Sequence, residues 1–384
     1  MGAAAAIDER VACGERFFAA EHEGLSRFCH AMAERFARGG RLVAFGSTPA
    51  DVSDVRHVAV EFVHPVIVGK RALPALGVPC EDAALLVGAD DIAMAFGSCA
   101  GVEGAVRASR AAGALTIAFA AVGAEYELGV PTDDPFIAQE QVETAYHVLW
   151  ELVHVFFEHR GLLAGRDEGP RHDTGASSFL YPFLSESEHD LDAVLADVAG
   201  SVLAKAGEAA ALRATTLGEG REVLEAAARS LRACVDGGGH VLALGNGGSA
   251  TDAMDAVADL RRPPPPLPPR PAIDLAEDPS ILTAVANDVG VGSMFARQVI
   301  AYGRPGDALL AFSTSGGSEN VLAALAQARR DGLVTIAFVG YGGGRILEDE
   351  LADHVVVTRS EHIPRIQEAQ ASAWHVLRGL MEGP

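Results

Sequence analysis

Two short stretches of this 384-residue chain carry residues suited to gripping an anion. An apolar run, HVLALG, leads into Asn246, Gly247, Gly248 and Ser249 and then into a helical pattern. Glycine lets the backbone turn and approach a ligand closely, and a helix start offers free N–H groups at the positive end of its dipole. A second apolar run, ALLAF, delivers Ser313, Thr314, Ser315 and Ser318 to another helix start. Hydroxyls and backbone N–H groups converging in this way replace the hydration of a phosphate dianion. Gly and Ser also fill ordinary turns, so one such loop says little. Two on successive strands of one α/β unit point to phosphate. The helix after the first loop then carries Asp255 and Asp259, four residues apart and so on one face.

The elements that must position these residues are written twice. The stretch 91–119, DIAMAFGSCAGVEGAVRASRAAGALTIAF, aligns with 307–338, DALLAFSTSGGSENVLAALAQARRDGLVTIAF. Each reads as strand, small-residue loop, amphipathic helix and strand, a βαβ unit of a parallel sheet. Flanking stretches match as well: GGRLVAFGS (39–47) with GGHVLALGN (238–246), and QEQVETAYHVLWELV (139–153) with QEAQASAWHVLRGLM (367–381). The expectation is two doubly wound α/β domains, 1–158 and 189–384, joined by a linker over 159–188. The linker is rich in Gly, Pro, Ser and charge, with an apolar anchor at Phe179 to Leu184 and Ser185 as a helix cap near Glu188. The proline run at 263–271 reads as a stiff loop, with a polyproline ligand for a partner as the other reading.

Around the phosphate-type loops the sequence resembles the sugar isomerase (SIS) family, and within it the phosphoheptose isomerases. GNGGSATDA, SILTAVANDVG, MFARQV, STSGGSENV and RIQEAQASAWHVL fall in family order through the second repeat. The resemblance implies a flavodoxin-like α/β fold, a phosphorylated sugar as ligand, and substrate contacts from Asn246, Gly247, Gly248, Ser249, Asp288, Ser313, Thr314, Ser315, Ser318 and Gln367. It also implies a chemistry set of His-x-x-x-Glu after the first loop and Gln-x7-His on the last helix, which in several members binds zinc. The Glu and the second His of that set are the implied acid and base.

The two repeats divide these features. Repeat two keeps the loops, Gln367 and His375, but has Asp255 and Asp259 where the family has His and Glu. Repeat one supplies His57, Glu61, Gln139 and His147 at family spacing, while its loops have decayed to GSTPAD, with Pro49 in the turn, and to GSCAGV. One layout therefore has His57, Glu61, Gln139 and His147, with zinc, acting on a sugar phosphate anchored by repeat two, with Glu61 and His147 catalytic. The other keeps the chemistry in repeat two, with His375 as base and Asp259 as acid. Read without the resemblance, His57 and Glu61 are a solvated i,i+4 pair and His147 a core histidine.

Bulk properties narrow the functional classes. With 52 acidic and 30 basic residues, the net charge of −22 repels nucleic acid and anionic membranes. No apolar run is long enough to span a bilayer, and a cytoplasmic protein is expected. The five cysteines, Cys13, Cys29, Cys80, Cys99 and Cys234, contain no CxxC pair and read as core or surface thiols of a reducing compartment. Three functions stay open: a sugar-phosphate ketose–aldose isomerase, acting on sedoheptulose 7-phosphate or a similar sugar; a non-catalytic module that senses a phosphosugar or joins a partner; and an accessory protein with both sites decayed. The single-repeat relatives are tetramers, so a homodimer forming a pseudo-tetramer of SIS domains is the expected assembly.

Overall fold

The computed structural model describes residues 3–66, 70–158 and 190–383, so the linker, its apolar anchor and its Ser185 cap lie outside the described residues. The first half runs α1 (Ala3–Ala37), β1 (Leu42–Gly46), α2 (Pro49–Val63), β2 (Ala75–Pro79), α3 (Cys80–Leu86), β3 (Ile92–Ala95), α4 (Ala100–Ala111), β4 (Leu115–Ala118), β5 (Tyr126–Glu127) and α5 (Pro135–Glu158). The second half opens with α6 (Leu191–Glu219), α7 (Arg221–Asp236), β6 (Val241–Leu244), α8 (Gly248–Arg261), β7 (Ala272–Asp274) and α9 (Pro279–Asp288). It continues with α10 (Met294–Tyr302), β8 (Ala308–Ser313), α11 (Glu319–Arg330), β9 (Val334–Val339), α12 (Gly344–Glu348), β10 (His354–Val357) and α13 (Ile363–Met381).

Both sheets are parallel and five-stranded, in the orders β2-β1-β3-β4-β5 and β7-β6-β8-β9-β10. This is the flavodoxin-like order, with its switch point between the first and third strands of each sheet. The central strands are short apolar runs because both of their faces are covered. Alternate residues feed separate cores: Leu42, Ala44, Ile92 and Met94 pack with α1 and α5, while Val43, Phe45, Ala93 and Ala95 pack with α3 and α4. In the second sheet Val241, Ala243, Leu310 and Phe312 face α7, α8 and α13, while Leu242, Leu244, Leu309 and Ala311 face α10 and α11.

Packing divides the chain differently from the repeat boundaries. One compact unit comprises Ala12–Asp133 and Gln141–Glu208; the other comprises Met1–Val11, Asp134–Glu140 and Ala209–Pro384. We call them the β1–β5 and the β6–β10 unit. The beginning of α5, and with it Gln139 and Glu140, thus belongs to the β6–β10 unit, although it is written in the first repeat. The proline run is a loop of the same unit: Arg378 donates to Pro268 O at 3.1 Å, and Arg270 pairs with Glu382 at 3.1 Å.

One aspartate per repeat does the same work in each sheet. Asp91, just before β3, accepts from Arg41 N at 2.7 Å and Gly88 N at 2.9 Å; Asp307, just before β8, accepts from His240 N at 2.8 Å and Arg304 N at 2.9 Å. Each carboxylate ties the start of its sheet's first strand to the turn before the third. Burial pushes the Asp91 carboxyl up, but Arg41 and the two N–H donors outweigh it and hold it below the ordinary aspartate range. We expect Asp91→Ala and Asp307→Ala each to cost about 1–3 kcal/mol, read from the midpoint of urea unfolding. Because the folded Asp91 value is depressed, its contribution is complete above the ordinary aspartate range and disappears as pH falls through the folded value.

Candidate active site

In the β6–β10 unit the two phosphate-type loops follow β6 and β8, adjacent strands of the sheet. Their glycines are demanded by geometry: a Cβ on Gly245 would lie 2.0 Å from Ser249 O, and Gly316, at φ 60°, would meet Gly343 O at 2.3 Å. The loops are fastened together by reciprocal amide bonds between Asn246 and Asn320, each 2.9 Å. No side chain caps the start of α8 or of α11. Ser249 and Ser313 are buried, Thr314 and Ser318 half-buried, and Asn246, Gly247 and Ser315 exposed. Asp288 is exposed at the end of α9, and Gln367 is buried in α13.

Two turns along α8, Asp255 and Asp259 meet His375 from α13. His375 Nε2 lies 3.4 Å from Asp255 Oδ2 and 3.5 Å from Asp259 Oδ2. Trp374 Nε1 donates to Asp259 at 2.8 Å, and Gln139 Nε2 donates to Asp255 at 2.7 Å. The other imidazole nitrogen, Nδ1, donates to Glu140 at 2.9 Å. Glu140 is fully buried and also receives Arg10 Nε at 3.0 Å and Ser372 Oγ at 2.6 Å, while Arg213 donates to Ser372 Oγ at 2.9 Å and to Glu140 O at 2.7 Å.

These contacts set the protonation states. Burial opposes charge on His375, but hydrogen bonds to Asp255 and Glu140 and the charge of Asp259 overcome it and push the imidazole up to about 10. Burial likewise opposes charge on Glu140, and the Arg10 guanidinium beside it, with His375, brings the carboxyl down to about 2. Asp259 moves the opposite way, raised by burial and by the neighbouring Asp255.

The β1–β5 unit holds a second buried group. His57 Nε2 and His147 Nε2 face each other at 3.4 Å, with Glu61 Oε1 3.9 Å from His57 Nε2 and Glu143 Oε1 4.0 Å from His57 Nδ1. The Tyr146 hydroxyl donates to Asp54 at 3.3 Å and lies 3.0 Å from His57 Nδ1, which leaves Nε2 of His57 as the ring's acceptor. Burial, helped by His147, drives the His57 value down, so its ring is neutral; burial raises Glu61 to about 7. Glu61 Oε2 is buried with no hydrogen-bond partner among the described residues. Imidazole nitrogens and a buried carboxylate oxygen are donors that zinc takes, and 3.4 Å is close to the edge of a zinc tetrahedron with bonds of about 2.0–2.1 Å. The described residues thus contain two groups able to hold a metal: His57, Glu143 and His147, and Asp255, Asp259 and His375.

In this unit the loops carry their own anion. Asp51 Oδ2 accepts from Thr48 N at 2.8 Å and Ser47 N at 3.2 Å, closing a capping box at the start of α2. It also occupies the space beside Gly97, where a Cβ would meet it at 2.5 Å. The donors that would greet a phosphate are already taken by a carboxylate.

The structure therefore regroups the residues singled out in the sequence. His57, Glu61 and His147 come together within the β1–β5 unit with Glu143 beside them, and within the β6–β10 unit Gln139 donates to Asp255. Glu140 and Glu143 were missed. The first is foreshadowed by the repeated Gln-Glu pair, 139–140 and 367–368, and the second by its i,i+4 spacing to His147.

Comparison with known proteins fits this geometry. The SIS domain model matches residues 206–340. The phosphoheptose isomerase of Desulfovibrio desulfuricans is 44% identical over 177 residues, 46% of this chain and 83% of that protein. That of Pelodictyon phaeoclathratiforme is 45% identical over 164 residues, 42% and 77% of the two chains. A structural neighbour, the C-terminal domain of glucosamine-fructose-6-phosphate aminotransferase from Francisella tularensis, covers 98% of this chain and 93% of its own at a TM-score of 0.61 and 10% identity, a likeness of fold. The fold and the two loops define an SIS-domain protein, with the matched SIS domain in the second half and a first half built on the same sheet order. The chain belongs to the phosphoheptose isomerase family, with relatives that match about half of its length. No helix among the described residues is long and apolar enough to cross a membrane.

Removing Glu140 tests the buried network. Glu140→Ala strands the charges of Arg10 and His375 and is expected to cost about 3–5 kcal/mol in denaturant unfolding, with Glu140→Gln costing less. The pH signs are opposite for the two partners. The Glu140 contribution is present above its ordinary value of 4.5 and lost as pH falls toward about 2, whereas that of His375 is present below 6.5 and lost as pH rises through about 10.

Proposed function

We propose that this chain is a ketose–aldose isomerase of a phosphorylated sugar, with its reaction in the β6–β10 unit. Sedoheptulose 7-phosphate and its aldose isomer are the pair the family resemblance favours. The observation that carries the reading is the arrangement along α8: the phosphate loop opens the helix, and Asp255 and Asp259 lie farther along the same helix, against His375. Asp255 is about 10 Å along the axis from Gly248 at 1.5 Å per residue, the reach of an extended sugar from its phosphate to its carbonyl end.

Isomerisation moves a proton between the two carbons of the carbonyl pair and another between their oxygens. His375, held protonated by Glu140, serves as the acid toward the oxygens. The buried Asp255 and Asp259 pair serves as the base at carbon, oriented by Gln139 and Trp374. These roles reverse those expected from the sequence, where His375 was the base and Asp259 the acid.

Zinc belongs in this reading to His57, Glu61, Glu143 and His147. Bound there, it would offset the buried carboxylates. Two chains in a pseudo-tetramer, and a cytoplasmic setting, complete the proposal. A second reading, a non-catalytic phosphosugar-binding module, is favoured by the Asp255 and Asp259 that stand at the family's His and Glu positions.

Turnover of sedoheptulose 7-phosphate by the purified chain separates the two. The isomerase reading expects His375→Ala and Asp259→Asn to lower kcat by about 10²–10⁴-fold. It expects Ser313→Ala to weaken binding by about tenfold or more. Calorimetric binding without turnover by the unmodified protein would establish the second reading. Elemental analysis is expected to find about one zinc per chain, lost in the His57→Ala, His147→Ala double variant and kept in His375→Ala.

A further inference from the structure

Two thiols stand at helix starts of the β1–β5 unit. Cys80 follows β2 directly as the first residue of α3, and Cys99 is the N-cap of α4, after β3; β2 and β3 both pair with β1. Both sulfurs border the small space left by Gly101. A Cβ placed there would touch Cys80 Sγ at 3.2 Å and Cys99 Sγ at 3.6 Å. Cys99 is exposed and Cys80 half-buried, whereas Cys13, Cys29 and Cys234 are buried.

The two thiols differ in a way that assigns an order of reaction. Cys99 Sγ lies 3.1 Å from Ser47 Oγ. The Ser47 hydroxyl, then the N–H groups of Val102 and Gly101, hold this thiol below its ordinary range, with Asp51 pulling the other way. Cys80 is pushed up by burial and by Glu81, whose carboxylate is 3.6 Å from its sulfur. A thiolate is the attacking species in disulfide exchange, so the exposed Cys99 attacks first and Cys80 resolves.

We propose that Cys80 and Cys99 form a dithiol site that exchanges with low-molecular-weight disulfides and closes to an intramolecular disulfide joining the starts of α3 and α4. Cys99 thiolate attacks one sulfur of the small disulfide, whose S–S bond breaks; one thiolate leaves and takes up a proton. Cys80 thiolate then attacks the Cys99 sulfur of the mixed disulfide and expels the second small thiol. Two protein thiols are oxidised, losing two electrons and two protons, and one small disulfide is reduced to two thiols.

Oxidised glutathione is the probe, applied to the full chain, with mass spectrometry and thiol counting under denaturing, non-reducing conditions. The expected product is lighter by two hydrogens, carries no adduct, has lost two of its five reactive thiols and yields a cross-linked Cys80–Cys99 peptide. Cys80→Ser should stop at a glutathione adduct on Cys99, and Cys99→Ser should form no disulfide at Cys80. Circular dichroism checks that both variants fold. A stable glutathione adduct on Cys99 of the unmodified protein, a disulfide elsewhere or between chains, or no reaction would each overturn the proposal.

Discussion

A carboxylate with no access to water must be matched by charge and hydrogen bonds, because its desolvation otherwise costs several kcal/mol. Glu140 is such a group, and the candidate active site is arranged around its compensation. Arg10 comes from α1, Ser372 and His375 from α13, and Arg213 from α6, which holds both Ser372 and the Glu140 carbonyl. Once Nδ1 of His375 is committed to Glu140, Nε2 has one direction left, toward Asp255 and Asp259. The charge on the imidazole then follows from three surrounding carboxylates.

The contrast between the two sheets shows how little a shared topology fixes. Both have the same strand order, and both tie their third strand with an aspartate in the same place. Yet one carries uncapped helix starts after its first and third strands, and the other folds Asp51 into the equivalent turn. An acidic side chain three residues past the cap is ordinary helix chemistry. Here it also fills the anion position from within, so the two units offer different ligand chemistry on the same frame.

Much of this was legible in the residues. The alternation of four-residue apolar runs with amphipathic helices marked parallel sheets, and the internal match of 91–119 to 307–338 marked two of them. Gly247 and Gly248 were readable as a phosphate-type turn because glycine ahead of a helix start lets the backbone approach an anion. The spacing of Asp255 to Asp259, and of His57 to Glu61, placed each pair on one helix face. Glu140 gave only a faint signal: in isolation it is one acidic residue in a helix, and nothing local shows whether water or an arginine will meet it.

The sequence by itself determined the class of fold, its doubling, the phosphate-type loops and which side chains share a helix face, since these depend on periods of two and 3.6 residues and on glycine's backbone freedom. Only the tertiary structure decided which faces meet. It placed Gln139 against Asp255, set Glu143 beside the histidine pair, and gave His375 a charged partner. The physical reason is that a helix as long as α5 serves two cores, and a position one residue along the helix, rotated by about 100°, faces different neighbours.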